Sequence, residues 1–225
     1  MNALSRGFSL VELMIGLVLL GVLIAIGLPS MRAYSVNSKI LALAQSYQAS
    51  VQQARSHAVL VNSNVDVVLT SAIPTAANVA ATASATGPNW IVRVQPNPDA
   101  PPPVAPITAS NPATVLTDAY VFVEGRGGSD DTTSAGLAAV DINSSVGTFN
   151  GVTYDDAKLI TFSGLSNAAS LLKSAAVQFS ASATSGLACA PTGPIRCLMV
   201  VIAPGGQSKV CDPAATTVGD TRSCT

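Results

Sequence analysis

The apolar run from Phe8 to Leu28 constrains this chain more than any other feature. It contains twenty-one residues and a single formal charge, Glu12. A helix of that length spans roughly 30 Å, which is the thickness of the hydrocarbon core of a bilayer. The run therefore predicts a transmembrane helix over residues 8–28.

Glu12 is the unusual residue of this run. Placing a carboxylate in hydrocarbon costs about 2.5–3.5 kcal/mol on insertion scales, so its position predicts a function and a cationic or hydrogen-bond-donating partner. A free amine on Phe8, created by cleavage before that residue, could be the partner because it lies one helical turn away. The alternative is an incidental glutamate in an ordinary single-pass anchor.

The segment before the run differs from an ordinary secretory signal peptide. Such a signal has a basic start, an apolar core of about 7–15 residues and a small-residue cleavage site after the core. Here the apolar run is longer, no A-x-A site follows it, and Arg6 is the basic residue before it. We therefore predict a leader over residues 1–7 that is cleaved between Gly7 and Phe8.

The junction Gly7-Phe8-Ser9-Leu10-Val11-Glu12 resembles the class III signal of type IV pilins and type II secretion pseudopilins. The resemblance implies that a prepilin peptidase cleaves after Gly7 and methylates the new N-terminus, Phe8. It also implies that Glu12 pairs with the amine of an adjacent subunit during assembly. Pro29 stands where this family has a proline that interrupts the helix.

The helical pattern continues beyond Pro29 with a different surface. Apolar residues recur at intervals of three and four, which is one face of an amphipathic helix. These residues are Ile40, Ala44, Tyr47, Val51, Ala54 and Ala58. The pattern predicts one helix over residues 8–61, kinked but not ended by Pro29, whose second half packs on a sheet.

After residue 62 the apolar pattern changes to the alternation of half-buried strands. Candidate strands are residues 65–70, 90–95, 120–123, 158–162, 174–181, 197–203 and 207–211. The segment 197–203 is almost wholly apolar, which predicts a central strand, and Pro204-Gly205-Gly206 predicts a hairpin turn after it. The fold class is therefore α+β, with a long N-terminal helix on an antiparallel, β-rich head over residues 62–225.

Three segments are predicted to be loops. Residues 72–88 are rich in Ala, Thr and Ser, residues 96–112 are rich in proline, and residues 124–135 are rich in glycine and aspartate. The proline-rich segment should be extended and exposed, and the third segment should be mobile. The low charged fraction of the whole chain, 10%, is typical of exported bacterial proteins.

The four cysteines predict disulfides, because export past the membrane places the head in an oxidising compartment. Three connectivities are possible for four cysteines. We favour Cys189–Cys197 and Cys211–Cys224, because short loops close at the lowest entropic cost and each pair brackets a turn-rich segment. The spacing lacks the tight pairs of a zinc site.

The residue inventory argues against catalysis, a metal site or a cofactor. The single histidine, His57, is expected on the polar side of the helix, and no nucleophile-elbow or phosphate-loop motif occurs. The segment 141–145 begins like a calcium loop, but glycine and the closing glutamate are missing at their required positions. The acidic pairs Asp130-Asp131 and Asp155-Asp156 are interpreted as solvated turn residues. We predict that the protein is not an enzyme.

The C-terminal part is similar to GspH/FimT-type minor pilins and pseudopilins. The similarity rests on Phe162-Ser163-Gly164, residues 198–206, Cys211-Asp212-Pro213, Gly219-Asp220 and Arg222-Ser223-Cys224. It implies a β-sandwich-like head on the long helix and a subunit present at low copy, in or near the filament tip. Major pilins also have a C-terminal disulfide loop, so the loop alone does not distinguish a minor pilin from a major one.

Some members of that family resemble DNA receptors. They carry a basic Gly-Arg-x-Arg stretch after the last hairpin, whereas this chain has Gly206-Gln207-Ser208-Lys209. From residue 61 onward there are seven Lys and Arg against eleven Asp and Glu, a net charge of 7 − 11 = −4. Phosphate-dominated binding needs a basic patch. Candidate contacts are Arg196, Lys209 and Arg222, but DNA binding is not favoured.

The predicted function is that of a minor pilin-like structural subunit that primes or caps a type IV pilus, or a related pseudopilus. The alternatives are a DNA-binding minor pilin and a minor pseudopilin of type II secretion. Expected partners are other pilins or pseudopilins along the N-terminal helix, the prepilin peptidase and the inner membrane. The expected location is the inner membrane by a single pass, with the head in the periplasm, and the filament tip or surface after assembly.

Overall fold

A computed structural model describes residues 9–96, 120–127, 140–145, 147–149, 151–182, 185–217 and 219–224, without the side chains of residues 25–30 and 145. It contains helix α1 (Leu10–Val61) and a single turn of 3₁₀ helix (Ala76–Asn78). The strands are β1 (Val65–Thr70), β2 (Asn89–Val94), β3 (Val121–Gly127), β4 (Val140–Ser145), β5 (Gly147–Phe149), β6 (Val152–Tyr154), β7 (Leu159–Phe162), β8 (Ala175–Ala181), β9 (Leu198–Ile202) and β10 (Ser208–Cys211).

Helix α1 is continuous and has a defined cap at each end. Its N-cap is Ser9, and the helix begins at Leu10. It runs through Pro29, as the resumed periodicity predicts, and ends at Val61. The C-cap Asn62 adopts a left-handed conformation with φ 46°, and its N–H donates to the carbonyl groups of Ala58 and Val59. Asparagine tolerates this conformation better than most residues, which explains where the helix stops.

Eight strands form two antiparallel sheets of four. The first has the order β3-β2-β1-β7 and the second the order β10-β9-β8-β4, while β5 and β6 form a separate hairpin. Strand β9 lies inside the second sheet, as its apolar sequence predicts, and pairs with β10 through the predicted hairpin. Gly206 in this turn has φ +77°, and a Cβ there would lie 2.5 Å from the backbone oxygen of Ser166.

One apolar core joins the second half of the helix to both sheets. All six residues of the predicted stripe are fully buried: Ile40, Ala44, Tyr47, Val51, Ala54 and Ala58. Tyr47 lies between the sheets, with its ring 5.4 Å from that of Trp90 on β2 and 5.8 Å from that of Phe179 on β8. The prediction of an α+β fold, with the helix packed on an antiparallel head, is confirmed.

The first sheet contains a buried ion pair that also fixes a loop. Asp66 and Arg93 face each other across β1 and β2, with Arg93 Nε 3.4 Å from Asp66 Oδ2. Arg93 Nη1 also donates to the carbonyl oxygens of Val79 and Ala81, at 2.7 and 3.1 Å. The predicted loop 72–88 is thus held over the sheet by a charged side chain whose own burial is compensated by these bonds.

The prediction of a loop over residues 124–135 is wrong for residues 124–127, which belong to β3. The glycines there suggested a turn, but Gly125 serves close packing. A Cβ at Gly125 would lie 2.6 Å from the carbonyl oxygen of Pro74, so a larger residue would displace the neighbouring loop. Residues 128–135 lie outside the described part of the chain, as do residues 97–112 of the predicted proline-rich loop.

Strands β4, β5 and β6 were not predicted. The segment 141–145, set aside as an imperfect calcium loop, is part of β4, which pairs with β8 at the edge of the second sheet. Only alternate residues of β4, Val140 and Ile142, enter the core. The hairpin of β5 and β6 has three residues in each strand, which is too short for an alternating pattern to be recognised in a sequence.

The structure contains the favoured disulfides, Cys189–Cys197 and Cys211–Cys224. Cys211 and Cys224 belong to a second apolar cluster with Tyr154, Ala176 and Met199. This cluster lies on the face of the second sheet that is turned away from the helix. The Tyr154 hydroxyl donates to the Cys224 carbonyl oxygen at 2.7 Å, and burial raises the pKa of that tyrosine. The C-terminal segment is therefore fixed to the sheet by a covalent bond and a buried hydrogen bond.

We expect the double variant Cys211→Ser/Cys224→Ser to lower the free energy of unfolding by about 2–5 kcal/mol, because the unfolded chain regains the entropy that the bond removes. Denaturant unfolding of the full chain in detergent, followed by the fluorescence of Trp90, measures the change. Tyr154→Phe, which removes only the hydrogen bond to Cys224, should cost about 0.5–1.5 kcal/mol. An unchanged unfolding midpoint in the double serine variant would contradict a stabilising role for the disulfide.

Candidate functional site

Ser9 and Glu12 form the start of the helix. The Glu12 backbone N–H donates to Ser9 Oγ at 3.2 Å, and the Leu13 N–H donates to the Ser9 carbonyl oxygen at 3.2 Å. The Glu12 carboxylate lies in the first turn, where the helix dipole favours negative charge. Sequence analysis did not assign a role to Ser9, although Ser-x-x-Glu before an apolar run is a known capping signal.

The helix surface around Glu12 is apolar and uncovered. Twelve large apolar residues between Leu10 and Ile24 are 50–76% exposed. Glu12 itself lines a shallow surface groove with Leu13, Gly16, Leu17 and Leu20. Surface of this extent is unfavourable in water and marks a region that other apolar groups cover, either lipid chains or neighbouring helices.

Membrane crossing by this helix remains a prediction. Within the described ranges, no helix reaches the combination of length and mean hydropathy that identifies a membrane span. The predicted cleavage and methylation residues, Gly7 and Phe8, lie outside the described residues. Pro29 is inside helix α1, and its side chain is not described.

A second candidate region lies where the helix enters the head. A groove of about 500 Å³, here called the base groove, separates the helix from the C-terminal part of the head. Its principal lining residues are Tyr34, Leu41, Arg196, Leu198, Val210 and Arg222. The groove is mainly apolar, and the two arginines bring positive charge to it.

Asn37 connects the helix to one wall of the base groove. Its Oδ1 accepts a hydrogen bond from the Arg196 N–H at 2.7 Å, and its Nδ2 donates to the Pro194 carbonyl oxygen at 3.4 Å. These bonds fix the loop closed by the Cys189–Cys197 disulfide against the helix. The Arg196 backbone is therefore held by the Asn37 side chain, independently of the arginine side chain.

Both arginines of the base groove pair with aspartates. Arg196 Nε lies 2.8 Å from Asp212 Oδ2, which links the two disulfide loops. Arg222 Nη2 lies 2.8 Å from Asp220 Oδ2. Hydrogen bonds from Arg222 lower the pKa of the Asp220 carboxyl to about 2, so this pair stays ionised at any physiological pH.

The structure brings two of the three candidate DNA contacts together. Arg196 and Arg222 line the base groove, whereas Lys209 lies on β10 and is not among the residues that line it. Since the two arginines are paired with Asp212 and Asp220, the positive charge available to DNA is smaller than the sequence suggests. The geometry therefore gives nucleic-acid binding little support.

The remaining titratable candidates occupy structural positions. Asp156 accepts hydrogen bonds from Lys158 and Ser144, and although burial opposes ionisation, these bonds lower its pKa. Asp155 accepts from the Lys173 N–H, and Asp130-Asp131 lie outside the described residues. Among the residues that the structure describes, no three His, Cys, Asp or Glu side chains are placed to hold a metal ion.

His57 is more enclosed than predicted for a residue on the polar side of the helix. Its side chain is half-buried, and Nδ1 is buried without a hydrogen-bond partner among the described atoms. The expectation of a simple surface residue is therefore wrong. The spacing of three and four residues from Ile40 to Ala58 defines the centre of the helix stripe but not how far the sheets extend around it.

The N-terminal region matches a known family model, that of the prokaryotic N-terminal methylation motif, over residues 2–28. The chain is a type IV pilin-like prepilin. The match in this prepilin includes Gly7, Phe8 and Glu12 and ends before Pro29, so it covers the leader and the exposed apolar half of the helix. Searches of curated proteins and of solved structures returned no match to it.

For this prepilin the motif implies processing by a prepilin peptidase, anchoring at the membrane and assembly with other pilin-like subunits. The motif includes the part of the helix, from Leu10 to Ile24, that the head does not cover. The motif match and the exposed apolar surface from Leu10 to Ile24 therefore lead to the same interpretation of this part of the helix.

Proposed function

We propose that this prepilin is a minor, GspH/FimT-type subunit that primes or caps a type IV pilus at the inner membrane. The observation that carries the proposal is the division of one continuous helix into two surfaces. The half from Leu10 to Ile24 is apolar and exposed, and the half from Val36 to Ala58 has one apolar face buried in the head. Such a helix suits a subunit held by lipid before assembly and by neighbouring helices after it.

Glu12 has a specific part in the proposed assembly. Cleavage after Gly7 creates a cationic amine on Phe8, and a neighbouring subunit that stacks alongside can present this amine to Glu12. A neighbour displaced along the axis would leave two charges unpaired in an apolar environment, which costs several kcal/mol. The pair therefore sets the axial register of the subunits more than it adds net stability.

The C-terminal part supports a role for the head in contacts with specific neighbours. Two disulfides and the Arg196–Asp212 ion pair fix the segments 189–197 and 211–224 at the base of the head. A rigid surface at the base of the head is suited to contact a neighbouring subunit in the filament. The cysteine pattern favours a pilus over a type II secretion pseudopilus, which remains the alternative together with a DNA-binding minor pilin. The proposed role is structural and not enzymatic.

We expect this subunit to be far less abundant than the major pilin in filaments sheared from cells, and we expect its deletion to reduce the number of filaments. Quantitative mass spectrometry of sheared filaments and electron microscopy of the deletion strain measure the two quantities. Complementation with the intact gene provides the control. Abundance equal to that of the major subunit would contradict a minor role, and unchanged filament number would contradict priming.

A further inference from the structure

Two surface grooves on helix α1, the groove at Glu12 and the base groove, lie on the same face of the helix. The first includes Gly16 and Leu20, and the helix wall of the second includes Tyr34 and Ser38. Tyr34 follows Gly16 by 18 residues, and Ser38 follows Leu20 by the same number. At 3.6 residues per turn this spacing is five whole turns, so each pair points in the same direction from the axis. The base groove therefore continues the line of the Glu12 groove.

The face that joins the two grooves is apolar and exposed. Its described large apolar side chains are 46–75% exposed: Leu13, Leu20, Leu23, Met31, Tyr34 and Leu41. Met31 lies 18 residues after Leu13, and Leu41 lies 18 residues after Leu23, so these pairs also share a direction. We call these six residues the lateral strip. The strip extends the apolar surface that carries the assembly motif into the head.

The charges of the base groove are already balanced. Arg196 pairs with Asp212, and Arg222 pairs with Asp220, each at 2.8 Å. The other walls include the apolar side chains of Leu41, Leu198 and Val210. A partner without net charge can cover such ion pairs without leaving a charge unpaired, whereas an anionic ligand finds no unpaired guanidinium. The groove is therefore suited to the surface of an apolar helix.

The axial position of a neighbouring helix follows from the pairing proposed for Glu12. A neighbour whose Phe8 amine lies level with Glu12 is displaced by four residues, or about 6 Å along the axis. A parallel neighbour in this register passes Tyr34 and Leu41 with its own residues 30–37. These are about the twenty-third to thirtieth residues of a mature chain, directly after the apolar run.

We propose that the base groove binds the helix of a neighbouring pilin-like subunit, just beyond the apolar run of that subunit. The inference rests on the proposed function, because it uses the register that Glu12 sets. The neighbour is a different subunit, since the proposed subunit is present at low copy. Side chains of the neighbouring helix enter the groove as ridges enter grooves between packed helices. One contact surface then extends from Glu12 to the disulfide loops, so the head contributes to the choice of neighbour.

Site-specific photocrosslinking of the full chain in cells tests this assignment. Benzoylphenylalanine replaces Leu41 in the base groove, Leu20 in the apolar half of the strip, or Leu172, which is 94% exposed and does not line the groove. Tandem mass spectrometry identifies the crosslinked peptides. We expect position 41 to crosslink to about the twenty-third to thirtieth residue of a methylated pilin-like subunit, and position 20 to about its ninth residue. Position 172 should crosslink to that helix several-fold less.

Substitutions measure the contribution of the groove to binding. Leu41→Glu should lower the recovery of the partner about tenfold, because it removes an apolar contact and adds an unpaired charge. Leu172→Glu makes the same change outside the groove and should keep full recovery. Tyr34→Ser should lower recovery several-fold. Tyr34 is 75% exposed, so its loss does not disturb the core, and the fluorescence of Trp90 reports folding in each variant.

The outcomes separate this inference from the proposed function. Crosslinking of position 20 to a pilin-like helix, while position 41 reacts with lipid, with a neighbouring head or with nothing, would overturn this inference alone. Full recovery with both Leu41→Glu and Tyr34→Ser would do the same. Crosslinks to residues 30–37 of this sequence would identify a second copy and overturn the assignment to a different subunit. No pilin-like peptide at either position, with no partner recovered, would overturn the proposed assembly as well.

Discussion

Replacement of Glu12 by valine is expected to leave the head folded and to remove the subunit from complexes with partner pilins. The carboxylate lies on a helix surface that is otherwise apolar, so a neighbour that packs there buries both the carboxylate and its own terminal amine. Without Glu12 that amine stays unpaired, at a cost of several kcal/mol. Since 1.4 kcal/mol is tenfold in an equilibrium constant, partner recovery should fall by about tenfold or more.

Co-purification of partner pilins with tagged variants measures this effect. Glu12→Gln should give intermediate recovery, because it keeps a hydrogen-bonding group but no charge. Leu13→Val changes a residue in the same surface groove without altering charge and should retain nearly full recovery. The fluorescence of the single, buried Trp90 reports folding of the head in each variant. Full recovery with Glu12→Val would refute the pairing mechanism.

A side chain at position 7 is expected to slow processing when it is small and to abolish it when it is large. The peptidase must accommodate the backbone immediately before Phe8, and a side chain at position 7 would obstruct that approach. The variant Gly7→Leu should accumulate as the uncleaved, unmethylated precursor, and Gly7→Ala should be processed more slowly than the natural sequence. Because no amine forms on Phe8, the uncleaved chain should also lose its partners even though Glu12 is present.

Electrophoretic mobility and intact mass of membrane-extracted protein distinguish precursor from product. Ser5→Ala, which changes a leader residue away from the junction, should be processed normally. Normal cleavage of Gly7→Leu would contradict the predicted site, while normal cleavage of both variants together with lost assembly would point to a different role for Gly7.

Much of the fold follows from local patterns in the sequence. The six stripe residues from Ile40 to Ala58 are buried as predicted, because a long run with helical spacing leaves few alternative faces. The hairpin of β9 and β10 follows from an apolar segment and a Pro-Gly-Gly turn. The disulfide pairing follows from short loops in turn-rich segments. Each of these inferences uses residues that are close in the sequence.

What sequence reasoning missed depends on contacts between distant segments. Gly125 indicated a loop, but its role is to let the backbone of Pro74 approach β3. Asp66 and Arg93 are charged residues in buried strands, and their burial is compensated by their pairing across β1 and β2 and by the hydrogen bonds from Arg93 to the loop. Strand β4 has polar residues on the face turned away from the core, and only two of its residues, Val140 and Ile142, enter the core, so its sequence resembles that of a loop.

The two candidate sites also differ in whether their residues are close together or far apart in the sequence. Glu12 was predicted from a short motif at fixed spacing, and the capping by Ser9 is also local. The base groove could not be predicted, because it combines helix residues such as Tyr34 with Arg196 and Arg222 from two separate disulfide loops. In the sequence its arginines are separated cations, and their spacing does not indicate their aspartate partners.

The mass of the N-terminal peptide of the mature protein tests the central claim most directly. Tandem mass spectrometry of protein extracted from its native membrane should find a peptide that begins at Phe8, carries one methyl group on its amine and is followed by Ser9. That result would show in one measurement the cleavage and the methylation, and with them the Phe8 amine that pairing with Glu12 requires. A functional protein that begins at Met1, or at Phe8 without the methyl group, would contradict the account of this chain as a processed prepilin.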